Sequence, residues 1–232
     1  MSRWFPEPVV LRVGDAQAAV PAASATLPLS IDDASAAPTG QTRVDATLSA
    51  FERDLDQRAL KYGTRVTFVV AGEGVRYLIV PWNDELASPA QRQVLAEHCF
   101  KEAYGEAVRN WVVCQHAPRY GAATLACALD AALLERLNAI AQVRRIKLVS
   151  VQPSLMQAYN RSPHRPAPGP FWFVSIEALR TTVLLMSPSE PLQVKQLPSA
   201  GLDLALSLDR EWFALGLEGP RCPVHFTRSQ VA

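Results

Sequence analysis

Glycine is scarce in this chain, with eleven residues in 232 against eighteen prolines. Phosphate-cradling loops depend on glycine, because its backbone approaches an anion closely and accepts positive φ. A nucleotide-phosphate turn therefore has little to be built from. The GKT or GKS of a Walker loop is absent. Serines are plentiful, yet none stands in a GxSxG elbow, and His98, His116, His164 and His225 lie in unrelated contexts with no nucleophile arranged toward them. Paired carboxylates for two-metal nuclease chemistry are missing too. The four cysteines, Cys99, Cys114, Cys127 and Cys222, contain no CxxC pair. In a reducing compartment they are expected to act as small hydrophobes. A zinc site can be drawn from His98, Cys99, Cys114 and His116, since the last two alternate along one strand, but the spacing fits no common metal motif. No catalytic residue, metal or cofactor is assigned from these patterns.

Charge of one sign is not in surplus either. Twenty-three basic residues face twenty-two acidic ones, which argues against a nucleic-acid binder, because neutralising phosphates needs an excess of Lys and Arg. No run approaches the ~18 to 20 apolar residues that span a bilayer. The opening MSRWFPEPVV lacks the apolar core and small-residue cleavage site of a signal peptide. A cytosolic protein is expected.

What is present is an alternation of strand and helix patterns. With 49% hydrophobic residues, a chain of this length buries roughly 70% of its unfolded surface without disulfides or metals. PVVLRV reads as a strand, Gly14-Asp15 as a turn, and a second short strand is expected through Val20. Residues 21–42, rich in Ala, Ser, Thr and Pro, read as an exposed loop. Val44, Leu48, Phe51 and Leu55 recur at helical spacing and predict a helix over 43–60. RVTFVVAGEGVRYLIVPW contains two β-rich runs, 65–71 and 75–81, joined by Gly72-Glu73-Gly74, and predicts a hairpin.

Ser88-Pro89 opens a helix expected to carry Val94, Leu95, Cys99 and Phe100 inward. NWVVCQH and ATLACAL predict two strands, followed by a helix from Asp130 to about Val143, the strand IKLVSV and the helix SLMQAYN. The linker SPHRPAPGP marks a boundary. After it come the strands FWFVSIE, RTTVLLM and LQVKQLP, then a helix through Leu204, Leu208, Trp212 and Leu215, then the strand CPVHF. Mixed sheets flanked by helices, entered twice, give an α/β protein with two subdomains. The expected division is 1–64 (N-terminal strands, loop and helix), 65–161 (first core) and 170–232 (a reduced second subdomain).

The hairpin ending in VRYLIVPW, the helix through FKEAYG, the pair NWVVCQH and ATLACAL, and the segment LNAIAQVRRIKLVSVQPSLMQAYN follow one another in a familiar order. FWFVSIEALRTTVLLM then opens a second half. Over residues 65 to 226 this resembles the actin-like (ribonuclease H-like) module of pilus assembly protein PilM and of the cytoplasmic part of type II secretion protein L. The resemblance implies a non-enzymatic cytoplasmic scaffold of a type IV pilus or type II secretion assembly platform. Its partners would be a peptide of an inner-membrane assembly protein and the motor ATPase, with membrane association through those partners and a homodimer left open. The alternative is a degenerate nucleotide-binding regulator of the actin and sugar-kinase superfamily.

This sequence departs from an actin-like ATPase at both phosphate turns. The first has Gly14-Asp15 without further glycine, and the second, VSIEALRTTV, has Glu177 and Arg180 where Asp and Gly would stand. Asp15 and Glu177 read first as turn carboxylates and second as a pair facing each other across a magnesium-nucleotide cleft. As partner-binding anchors, Arg76, Tyr77 and Trp82 are candidates, because Trp, Tyr and Arg dominate interface hot spots. Strand alternation sets Tyr77 opposite Arg76. Arg144 and Arg145, with Lys147, form the one basic cluster, which is either a solvated helix end or a contact for acidic headgroups or an acidic tail. Trp172, between Phe171 and Phe173, is expected on the opposite face from them.

Overall fold

The structure, a computed structural model, describes residues 8–14, 40–58, 60–86, 88–116, 119–162, 169–217 and 222–228. The expected second strand through Val20, most of the 21–42 loop, Trp4, Asp15 and His164 lie outside the described residues.

Three parallel strands form the first sheet: β1 (Val9–Val13), β2 (Arg65–Val70) and β6 (Lys147–Pro153), in the order β1-β2-β6. All of β2 except Arg65 is buried, as expected of a central parallel strand covered on both faces. Helix α1 (Gly40–Gln57) stands in the chain between β1 and β2. It buries Leu48, Phe51 and Leu55 and sets Phe51 edge-on to Phe68, with ring centroids 5.1 Å apart. Through β1 and α1 the segment before residue 65 joins the same sheet as β2 and β6.

The expected hairpin at 65–81 does not form. β3 (Val75–Val80) leaves β2 and pairs antiparallel with β5 (Thr124–Asp130), which also pairs with β4 (Trp111–Gln115) in a separate sheet of order β3-β5-β4. The physical reason lies in the connection. Tight hairpin turns place their glycines at positive φ, whereas Gly72–Gly74 forms one turn of 3-10 helix and neither glycine has positive φ. The two glycines serve close approach instead. A Cβ on Gly74 would stand 2.9 Å from a Val70 methyl, and one on Gly72 would stand 2.8 Å from a Glu177 carboxylate oxygen.

Helix α2 (Pro89–Tyr104) begins with a reciprocal capping box between Ser88 and Gln91. It packs Ala96 and Phe100 onto Val80, Val113, Ala126 and Ala128 of the β3-β5-β4 sheet, with Leu95 and Cys99 partly buried beside them. Val94, expected inward, is 64% exposed, because α2 covers the sheet with a narrower face than its apolar content allows. Asp130 caps α3 (Ala131–Val143), whose Leu133, Leu137 and Ile140 are buried, and α4 (Ser154–Arg161) follows β6 directly.

The third sheet is β7 (Phe171–Ile176), β8 (Arg180–Met186) and β9 (Pro191–Pro198) as an antiparallel meander, with β10 (Val224–Arg228) parallel to β7 on the other side. Helix α5 (Leu204–Ala214), capped by Asp203, precedes β10. In both the parallel sheet and this one a strand that follows a helix pairs parallel with the strand that opens the half: β2 after α1 with β1, and β10 after α5 with β7. Phe171, Phe173 and Leu184 share a core with Leu11 and Phe68 of the parallel sheet, while Trp172, Val174 and Leu185 face α5 and Leu208. Trp172 thus lies opposite its two phenylalanine neighbours, as expected, and all three are buried.

Candidate functional site

The parallel sheet and the four-stranded sheet meet at the turn between β7 and β8. Strand β7 delivers Glu177 to this seam, where only 5% of the residue is exposed. One carboxylate oxygen accepts the Gly72 backbone N–H at 2.6 Å, and the other lies 3.4 Å from the Arg12 guanidinium on β1. The Gln196 side chain donates to the Gly72 carbonyl at 2.6 Å, and Ser199 Oγ donates to the Glu177 carbonyl at 2.7 Å. A carboxylate held by a backbone N–H and a guanidinium is an internal anion in a cradle that its own chain fills. Glu177 is therefore neither an exposed turn carboxylate nor a group facing an open cleft, since Gly72 is packed against it.

Beside the seam the surface opens into a groove of about 310 Å³. It is lined by Arg76 and Tyr77 of β3, Tyr104 at the end of α2, Arg180 at the start of β8, and Val194, Lys195 and Gln196 of β9. Three cations stand there, and among the described residues no carboxylate lines it. The Arg76 guanidinium donates to the backbone carbonyls of Glu73 and Val75, at 3.0 and 3.1 Å, which fixes its position without neutralising it. Lys195 pairs with Glu211 at 2.5 Å. Among the described residues the half-buried Arg180 guanidinium makes no hydrogen bond or ion pair. Tyr77 forms the buried floor, and burial pushes its phenol pKa well above the ordinary value, with the negative charge of Glu177 adding to the shift. Gln196 on Gly72 tethers β9 beside the groove, and at the opposite end of β3 the Glu190 carboxylate accepts the Ala123 N–H at 2.5 Å.

The sequence candidates do not form one cluster. Arg76 and Tyr77 both reach this groove although they alternate along β3, because the groove wraps around the strand edge. Trp82 lies beyond the other end of β3, where its indole N–H donates to Asp84 at 2.7 Å. Its ring meets Tyr120 edge-on at 5.2 Å and carries the Arg92 guanidinium 6.0 Å from its centre. Arg144 and Arg145 stand at the far end of α3. There Arg144 pairs with Asp56 and bonds the Glu52 carbonyl of α1, and Arg145 holds a left-handed φ of 51°. Arg144 is thus a strut between two helices, while Arg145 is exposed.

The drawn zinc set is also divided. Cys99 packs between α2 and the sheet, whereas Cys114 is directly opposite Cys127 on the other face. Among the described residues no three His, Cys, Asp or Glu gather as a metal site. Burial raises the pKa of all four thiols, that of Cys127 to about 12, which keeps them protonated and poorly nucleophilic.

Sequence reasoning missed Arg12, Gly72, Tyr104, Lys195 and Gln196. The polar alternation of LQVKQLP marks residues for an outer face, but nothing local brings that strand to β3. Arg180 was legible as a cation standing where a phosphate turn would have glycine.

No family model matches the sequence, and no curated protein matches it. Solved structures do. A Bacteroides thetaiotaomicron protein with actin-like ATPase fold and unknown function is 16% identical, with a TM-score of 0.54, over 82% of this chain and 70% of that one. The cytoplasmic domain of EpsL, an inner membrane component of the type II secretion system of Vibrio cholerae, is 14% identical with a TM-score of 0.53, over 79% of this chain and 67% of that one. A PilM-PilN type IV pilus biogenesis complex is 17% identical, over 75% of this chain and 54% of that one, with a TM-score of 0.48. No helix among the described residues is long and apolar enough to cross a membrane. Two sheets joined at a turn-to-turn seam, with a third small sheet beside them, are the actin-like fold, and this chain has that fold.

Proposed function

We propose that this chain is a non-enzymatic cytoplasmic scaffold of a type IV pilus or type II secretion assembly platform. It holds a cytosolic peptide of an inner-membrane partner, contacts the motor ATPase through the same assembly, and is peripheral to the membrane. One observation carries the non-enzymatic part. Glu177 stands in the second of the two turns that would hold a nucleotide's phosphates, and its carboxylate, bound to the Gly72 N–H and Arg12, repels a phosphate from those donors. The platform assignment is supported by the fold shared with the cytoplasmic domain of the secretion component EpsL. Degenerate nucleotide regulation is disfavoured by the same filled seam.

The test is co-purification from detergent-solubilised membranes of the source cell, with captured proteins identified by mass spectrometry. Recovery of an inner-membrane pilus or secretion assembly protein is expected, unchanged by Mg-ATP. Absence of any such protein, together with ATP hydrolysis that follows the purified chain, would overturn the proposal.

A further inference from the structure

We infer that the groove between β3 and the β8-β9 edge is a docking site for an extended acidic peptide segment. This names the chemistry of a partner and rests on the scaffold function proposed above.

The groove carries the features such a ligand needs. Arg76, Arg180 and Lys195 come from three strands and converge on one lining, in which no described residue is a carboxylate, and among the described residues only Lys195 of the three is ion-paired, with Glu211. Arg180 makes no hydrogen bond or ion pair among the described residues, so its planar fork is available for bidentate carboxylate binding. Arg76 is already held by two backbone carbonyls, so little side-chain entropy is lost when an anion meets it. Between the cations, Tyr104 is 37% exposed and, with Val194, offers apolar contact to side chains between the acidic residues. The volume of about 310 Å³ is at the lower end of the range for ligand sites and suits a few residues of extended chain. The tether of Gln196 to Gly72 holds the β9 wall in place before anything binds. The other basic group, Arg144 with Arg145 and Lys147, lacks this enclosure, since Arg144 is bonded to α1 and its two neighbours are exposed.

Fluorescence anisotropy with a fluorescein-labelled octapeptide of alternating Glu and Phe tests this on the whole chain. Arg180→Glu and Lys195→Glu are expected to weaken binding by about tenfold each, and Lys147→Glu to leave it unchanged. Added salt weakens wild-type binding, through screening of partly exposed charges. Equal affinity in Arg180→Glu, equal weakening by Lys147→Glu, no binding by the wild type, or binding to phosphatidylserine vesicles without binding to the peptide would each overturn the inference. A thermal melt of each variant excludes misfolding as the cause. Recovery of the membrane partner by the Arg180→Glu, Lys195→Glu double variant would remove this surface while leaving the scaffold function standing. Loss of the partner from wild type and variant alike would remove the scaffold function instead.

Discussion

The seam and the groove take opposite charges from one turn. Glu177 points inward, is buried, and is satisfied by the Gly72 N–H and Arg12. Arg180, three residues on, points outward into an open groove without an intramolecular partner among the described residues. A buried carboxylate is tolerated only when hydrogen-bonded and paired, so the seam depends on every one of its contacts. A half-buried arginine that opens onto a groove keeps contact with water and costs little when unpaired, so the groove can keep its charge for something outside the chain. The difference teaches that this turn joins two halves through its acid and faces the solvent with its base.

The largest test of that contrast is Glu177→Ala, which leaves the buried Gly72 N–H without an acceptor and removes one partner of Arg12. A loss of about 2 kcal/mol of unfolding free energy is expected by urea denaturation, discounted because Arg12 is partly exposed. Glu177→Gln keeps an acceptor and loses about half as much. Gly72→Ala comes next. Its Cβ would meet the Glu177 carboxylate at 2.8 Å, costing about 1 to 2 kcal/mol. In the double variant with Glu177→Ala the clash disappears, so the two losses sum to more than the combined one. Additive losses would mean that the two residues do not touch.

A smaller effect is alkaline. Tyr77 and Cys127 have folded pKa values raised above their ordinary 10.0 and 9.0, with Cys127 near 12. Both contribute stability that is fully present below pH 9 and is lost as pH rises, from pH 9 toward 12 for Cys127 and above pH 10 for Tyr77. Melting temperature should therefore fall steadily above pH 9, and Tyr77→Phe should flatten the part above pH 10. The smallest effect belongs to the groove itself. Arg180→Glu is expected to change unfolding free energy by no more than about 0.5 kcal/mol, in contrast to Glu177→Ala on the same turn.

Much of the architecture was legible because local signals agreed with it. Ser88, Asp130 and Asp203 cap helices where the apolar period begins, and the three strands after the proline linker form a meander joined by short turns. The hairpin at 65–81 failed for a nonlocal reason. Two apolar runs around glycines look alike whether they pair with each other or with distant strands, and the pairing was decided by β1, β5 and β6. The seam had a local trace in Glu177 at the position where a phosphate turn would have Asp, but Gly72 lies 105 positions away in sequence. The groove was half visible, as Arg76 and Tyr77. Its other cations come from a different sheet, and only the packing of β9 beside β3 unites them. Trp82 stands out by residue type and Arg144 by its place in a basic cluster, and neither signal shows the partners the structure gives them in Asp84 and Asp56.

The central proposal is that Glu177, held by the Gly72 N–H and Arg12, keeps a nucleotide phosphate from the seam. Thermal melting of the wild-type chain across millimolar Mg-ATP tests it most directly, because a ligand that binds only the folded state raises the melting temperature with concentration. No concentration-dependent rise is predicted. A saturable rise that requires magnesium would contradict the account.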